Sequence, residues 1–96
     1  MRERINSPCL LVKGNTTLVI PLLTSELVMD GINRVMKHDP ALAERIDLYP
    51  HYITTTGRVL DRFDAWTVAL NANQVPDEPR KFRELDPLDL WPRRMA

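Results

Sequence analysis

The sequence is short of the residues that carry most recognisable chemistry. Its 96 residues include one cysteine, Cys9, and two histidines, His38 and His51. A single cysteine excludes an internal disulfide and favours a reducing compartment, so we expect a cytoplasmic protein. Cys9 and the histidines also lack the short paired spacing of zinc ligands. We therefore expect no metal, no cofactor and no enzymatic activity.

An excess of one charge and a long apolar run are also missing. Lys plus Arg and Asp plus Glu both total 13, which gives a formal net charge of zero. Because phosphate neutralisation supplies most non-specific affinity for nucleic acid, this balance disfavours a nucleic-acid partner. No apolar run approaches the roughly 20 residues of a membrane-spanning helix, so we expect no membrane partner. The composition is that of one globular domain.

A β-hairpin is predicted near the N-terminus. Residues 9–12 and 16–20 are apolar and β-branched runs, and Gly14 and Asn15 between them suit a tight turn. An isolated hairpin is at best marginally stable in water, so we expect it to pack on helices. Its unpaired edges predict a homodimer.

Two amphipathic helices are predicted over about residues 25–38 and 56–72, with a short helix that begins at Pro40 between them. Thr24 is the expected N-cap of the first helix. The fold class is therefore predicted as α+β. The expected core packs side chains of the second helix on the first helix and the hairpin: Leu60, Phe63, Trp66 and Leu70 on Leu18, Ile20, Leu27, Ile32 and Val35.

The C-terminal segment differs in composition from the rest of the chain. We expect residues 1–74 to form one small domain and residues 75–96 to form an extended, proline-rich arm, because proline interrupts helices and central strands. The arm still carries large apolar side chains, which are candidate partner-binding residues: Phe82, Leu85, Leu88, Leu90 and Trp91. We expect them to contact a partner protein, a second protomer or the domain's own core.

Part of this arm resembles a known class of linear motif. Residues 88–91 read Leu-Asp-Leu-Trp. They are similar to the Leu-acidic-Leu-aromatic peptides by which proteins dock on bacterial sliding clamps, although the leading glutamine of those peptides is absent here. The resemblance implies docking of this segment on a partner protein.

A candidate anion site lies at the expected start of the second long helix. Thr56, Arg58 and Arg62 combine a hydroxyl, free backbone N–H groups and guanidinium groups, which together suit a phosphate or carboxylate. In the alternative interpretation, a threonine caps the helix and Asp61 or Asp64 neutralises the arginines.

The function predicted from these features is that of a small non-enzymatic protein-binding regulator or inhibitor, acting as a homodimer. Phages and mobile elements encode many accessory proteins of this size, and we expect such an origin. The alternative is a DNA-binding transcriptional regulator with a helix-turn-helix-like core in residues 25–46.

Overall fold

The computed structural model describes residues 2–77 and 83–92. Two strands are followed by two helices, and this order then repeats: β1 (Ile5–Val12), β2 (Leu18–Pro21), α1 (Val28–His38), α2 (Pro40–Ala43), β3 (His51–Thr54), β4 (Val59–Leu60), α3 (Arg62–Asn71) and α4 (Pro87–Leu90). The strands form one sheet in the order β2-β1-β3-β4, and each neighbouring pair is antiparallel. The predicted α+β class is confirmed. None of the helices in the described ranges combines the length and apolar character needed to cross a membrane.

The predicted N-terminal hairpin is present and is built into this larger sheet. β1 pairs with β2 from Cys9 opposite Pro21 to Val12 opposite Leu18. The other side of β1 pairs with β3, so β2 and β4 are the edges of the sheet. Pro21 offers no N–H group at one edge, and β4 has only two residues. Both edges are therefore poor templates for a further strand.

Both long helices cover the same face of the sheet. Side chains alternate along a strand, and the register places these core residues on one face: Ile5, Leu10, Val12, Tyr52 and Leu60. α3 packs on Ile5, Tyr52 and Leu60, whereas α1 packs on Leu10 and Val12. We call this side the helix-covered face. Gly31 lets α1 approach closely, because a Cβ there would lie 2.5 Å from a Leu22 methyl group.

The second long helix was predicted to begin near residue 56, and that prediction is wrong. Residues 55–58 instead form the loop between β3 and β4. Gly57 adopts a positive φ of 87°, and the Thr54 amide donates to the Arg58 carbonyl at 2.8 Å. A loop of this length with a left-handed glycine is a favoured hairpin connection. α3 begins after Asp61, whose carboxylate accepts the amides of Phe63 and Asp64.

The first helix also begins later than predicted, at Val28 rather than near residue 25. The Glu26 amide donates to the Leu23 carbonyl at 3.0 Å, and the Glu26 carboxylate accepts the Leu23 amide at 3.2 Å. This reciprocal pair closes a turn before the helix. Because a side chain competes for backbone groups here, Ser25 to Leu27 remain outside the helix.

The predicted core is correct for Trp66 and Leu60 but wrong for Phe63. Trp66 is 1% exposed, whereas Phe63 is 47% exposed. The helix turns by about 100° per residue, so an arc centred on Ala65, Trp66 and Ala69 leaves Phe63 on the other side. Two further residues of the expected core, Leu18 and Leu27, are also exposed. Within the described part of the chain, the core consists of two clusters rather than one, under α3 and under α1 respectively.

Residues 87–90 were predicted to be extended, and they form the one-turn helix α4 instead. Asp86 is the N-cap and Pro87 occupies the first turn. The Asp86 carboxylate accepts the Leu88 amide, and the Asp89 carboxylate accepts the Asp86 amide, which completes a capping box. Proline is compatible with the first helical position because no intrahelical partner is lost there.

Candidate functional site

An apolar groove opens on the helix side of the molecule, between the start of α1, the loop before β3, and α4. Its volume is about 330 Å³. Its apolar lining comes from these three segments: Leu27, Val28 and Met29; Leu48 and Pro50; and Pro87, Leu88 and Trp91. Thr24, Glu26 and Asp86 are the polar residues at its rim.

Several large side chains of the groove face solvent. Leu27 is 41% exposed, Met29 58%, Leu48 74% and Leu88 51%. Single exposed apolar residues are ordinary on a protein surface, but a contiguous set marks a site of interaction. The groove is therefore the candidate functional site.

The wall formed by α4 is fixed to the body of the protein through Leu85. This side chain is 1% exposed and belongs to the cluster under α3. Its amide donates to the Arg62 carbonyl at 2.9 Å, and its carbonyl accepts the Tyr52 hydroxyl at 2.7 Å. Burial, followed by the nearby Asp86, raises the pKa of Tyr52, so the hydroxyl stays protonated and donates.

The predicted partner-binding residues of the arm separate into distinct environments. Leu85 lies in the core, and Leu90 and Trp91 are half-buried against the same cluster. Leu88 and Trp91 line the groove. Phe82 lies outside the described residues. Contact with a partner remains a prediction, and Leu88 and Trp91 are the members of this set that the groove makes available.

Beside the groove, the Arg62 guanidinium contacts two exposed aromatic rings. Its guanidinium carbon lies 3.8 Å from the centre of the Tyr49 ring and 4.4 Å from that of Phe63. Its Nε atom donates to the Glu84 carboxylate at 2.8 Å. We call Tyr49, Arg62 and Phe63 the aromatic flank. These cation–π contacts give Phe63 a partner outside the core.

The candidate anion site contains a carboxylate of the chain itself. Arg58 forms an ion pair with Glu3, and its Nε atom donates to Glu3 Oε2 at 2.8 Å. The hydroxyls of Thr54 and Thr56 donate to the same oxygen. Arg62 is not part of this cluster, because it pairs with Glu84. Binding of an external anion by Thr56, Arg58 and Arg62 remains a prediction.

Sequence reasoning missed the side of the groove that is not in the arm. Leu27 was predicted to lie in the core, and no role was predicted for Leu48. Leu48, Tyr49 and Pro50 gave one usable signal, since consecutive apolar residues in a loop need a surface to cover. Their approach to α4 depends on the tertiary fold and has no local signature.

Comparisons with known proteins leave the site to be interpreted from its chemistry. No protein-family model matches the chain, and searches of curated proteins and of solved structures returned no match. Across residues 2–77 and 83–92, no three or more His, Cys, Asp or Glu side chains are arranged to hold a metal ion.

We predict that Glu3→Gln destabilises the fold in a pH-dependent manner. Hydrogen bonds from Arg58, then Thr56 and Thr54, lower the pKa of Glu3 from 4.5 to about 2. A lowered carboxyl pKa stabilises the fold above the unfolded value, and this contribution is lost as the pH falls from about 5 towards 2. Urea denaturation across this range should show a shallower pH dependence for Glu3→Gln than for the unmodified protein. Glu44→Gln, at an exposed position, should behave like the unmodified protein; equal pH profiles for all three would contradict the assigned contact.

We also predict that Tyr52→Phe loosens the arm. The substitution leaves the buried Leu85 carbonyl without its hydroxyl donor, which should lower the free energy of unfolding by about 1–3 kcal/mol. Tyr49→Phe is the matched control, because Tyr49 is 56% exposed and its ring contact with Arg62 does not need the hydroxyl. Thermal or urea denaturation measures both. Identical stability of the two variants would show that the Tyr52 contact does not hold the arm.

Proposed function

We propose that the protein is a small non-enzymatic regulator or inhibitor that acts by binding another protein. The groove binds a short apolar segment of that partner. The observation that carries this proposal is the convergence of four exposed apolar side chains, Leu27, Met29, Leu48 and Leu88, on one groove. Burying them on a partner would release the free energy that their exposure now costs.

The extent of the apolar surface supports a protein partner over a small ligand. Leu23, which precedes the groove residue Thr24, is 66% exposed, and Tyr49, which follows Leu48, is 56% exposed. The aromatic flank continues the surface with Phe63 and Arg62. A ligand confined to the groove would leave these side chains in water. Methionine, tyrosine, phenylalanine and arginine are enriched in the centres of protein interfaces.

The charged residues at the rim of the groove favour a partner that carries a positive charge beside its apolar segment. Its two charged residues, Glu26 and Asp86, are both carboxylates. Glu26 pairs with Arg34 at 3.2 Å, whereas Asp86 forms no ion pair with a cation among the described residues. A lysine or arginine beside the apolar segment of the partner would complement Asp86, because opposite charges at a rim favour encounter and orientation.

The other predictions made from the sequence concern assembly, location, origin and an alternative function. A homodimer, a cytoplasmic location and an origin in a phage or mobile element remain predictions. DNA-binding transcriptional regulation remains the alternative function. In that alternative the second helix of the helix-turn-helix-like core would be α2, which has four residues.

Affinity capture from the native host tests the groove. We expect the unmodified protein and Leu18→Ser to capture equal amounts of the same partner. Leu48→Ser should capture at least about tenfold less of it, as for a residue at the centre of an interface. Leu18 is the control because it is an exposed leucine outside the groove, 44% exposed against 74% for Leu48. Equal retention by the two variants would contradict the groove as the binding site. Binding to DNA that weakens steeply with salt, and no protein partner, would favour the alternative.

The same capture tests the charge preference with an isosteric pair. Asp86→Asn removes the rim charge and keeps an oxygen that can cap α4. Asp39→Asn is the control, because Asp39 caps α2 and also precedes a proline. We expect Asp86→Asn to weaken partner binding about threefold, as for a partly exposed ion pair, and Asp39→Asn to leave it unchanged. Equal affinities would contradict the preference for a basic partner and leave the groove proposal intact.

A further inference from the structure

The face of the sheet opposite the helices is not covered by any described helix. Side-chain alternation and the strand register place these residues on it: Ser7, Cys9 and Leu11 of β1, Val19 and Pro21 of β2, His51 and Ile53 of β3, and Val59 of β4. None of them belongs to either core cluster among the described residues, but Cys9 is itself fully buried, at 0% exposed. We call this surface the open sheet face.

The chemistry of the open sheet face is unusual for a surface in water. It contains no Asp, Glu, Lys or Arg from any of the strands. Val19 and Val59 are 37% and 39% exposed, and Leu11 and Ile53 are half-buried. A sheet with one solvated face normally alternates apolar residues inside with polar residues outside. Here the second face is also largely apolar, with Ser7 and His51 as its polar strand residues, and an apolar surface of this kind marks a site of interaction.

We infer that a second copy of this chain covers the open sheet face, in a two-fold dimer that packs sheet against sheet. A two-fold contact sets each surface patch against itself, so a charged patch would meet like charge. The open sheet face avoids this cost because the strands contribute no Asp, Glu, Lys or Arg to it. The groove does not, since Glu26 and Asp86 would each be repeated across the axis.

The edges of the sheet favour face packing over a continuous sheet across two copies. Pro21 removes a donor at the β2 edge, and β4 offers only two residues. Two antiparallel sheets can instead pack face to face at about 10 Å, with their apolar side chains interdigitated. Burial raises the pKa of Cys9 to about 11, so the thiol at the middle of this face remains neutral. The dimer leaves the groove accessible, because the groove lies on the helix side.

Sedimentation velocity of the full chain tests this inference with two neighbouring residues. Val19 and Leu18 lie side by side on β2 with similar exposure, 37% and 44%, but point to opposite faces. We expect the unmodified protein and Leu18→Lys to sediment as dimers at micromolar concentration. Val19→Lys should weaken the dimer by about tenfold or more, because each dimer would bury two uncompensated ammonium groups. Val59→Lys, on the same face in β4, should have the same effect, and circular dichroism melting checks that each variant is folded.

Two outcomes of the sedimentation experiment would contradict the inferred dimer. An unmodified protein that remains monomeric at high micromolar concentration would overturn the inference, and so would a dimer that Leu18→Lys and Val19→Lys weaken equally. Neither outcome depends on the groove. A monomer that still binds a partner through Leu48 would support the proposed function and overturn the dimer. A dimer without such binding would support the dimer through the open sheet face and overturn the groove as the binding site.

Discussion

The hydrogen bond from the buried Tyr52 hydroxyl to the Leu85 carbonyl, 2.7 Å long, is the contact on which the groove depends. It fixes a segment from the end of the chain against the middle of the sheet. The Leu85 amide donates to the Arg62 carbonyl, and the Leu85 side chain belongs to the same core cluster as Trp66. Because both backbone polar groups of Leu85 are paired, its burial carries no desolvation penalty for an orphaned group. α4 follows directly, and its Leu88 and Trp91 form one wall of the groove.

β3 contributes a residue to each face of the sheet and so lies between the support of the groove and the open sheet face. Tyr52 points to the helix-covered face and supports the arm, whereas Ile53 points to the open sheet face. The carboxylates of the groove match the proposed basic partner, whereas the open sheet face, which has no Asp, Glu, Lys or Arg from the strands, matches the proposed second copy. A dimer built on the open sheet face would present two grooves on its outer sides. Such a dimer could bind two partner segments at once and gain affinity from the linkage.

Local signals in the sequence were sufficient for elements whose structure depends on nearby residues. The hairpin at β1 and β2 and the body of α1 follow from β-branched runs and apolar periodicity. The start of α3 could not be placed, because Val59, Leu60 and Phe63 fit a helical period as well as a strand followed by a helix. Gly57 at positive φ and Asp61 as N-cap decide between them, in favour of a hairpin followed by a helix.

Only the side of the groove formed by the C-terminal arm was predicted from the sequence. Leu88 and Trp91 were identified because apolar residues in a proline-rich segment must cover some surface. Leu27 and Leu48 were not, since their approach to α4 depends on contacts distant in sequence: Tyr52 with Leu85, and Arg62 with Glu84. The open sheet face was missed for a related reason. Which side of β1 faces water depends on where α1 and α3 pack, and the apolar Leu11 and Val19 fit either side.

Amide hydrogen exchange at Leu85 tests the central claim, that the arm is docked and completes the groove, most directly. The Leu85 amide donates to the Arg62 carbonyl, and the Ala65 amide donates to Asp61 within α3, both at 2.9 Å. If the arm belongs to the cooperative fold, the two amides should exchange with protection factors within about tenfold of each other. A Leu85 amide that exchanges at the rate of an unprotected peptide, while Ala65 remains protected, would show that α4 is not held against the core and would contradict the groove described.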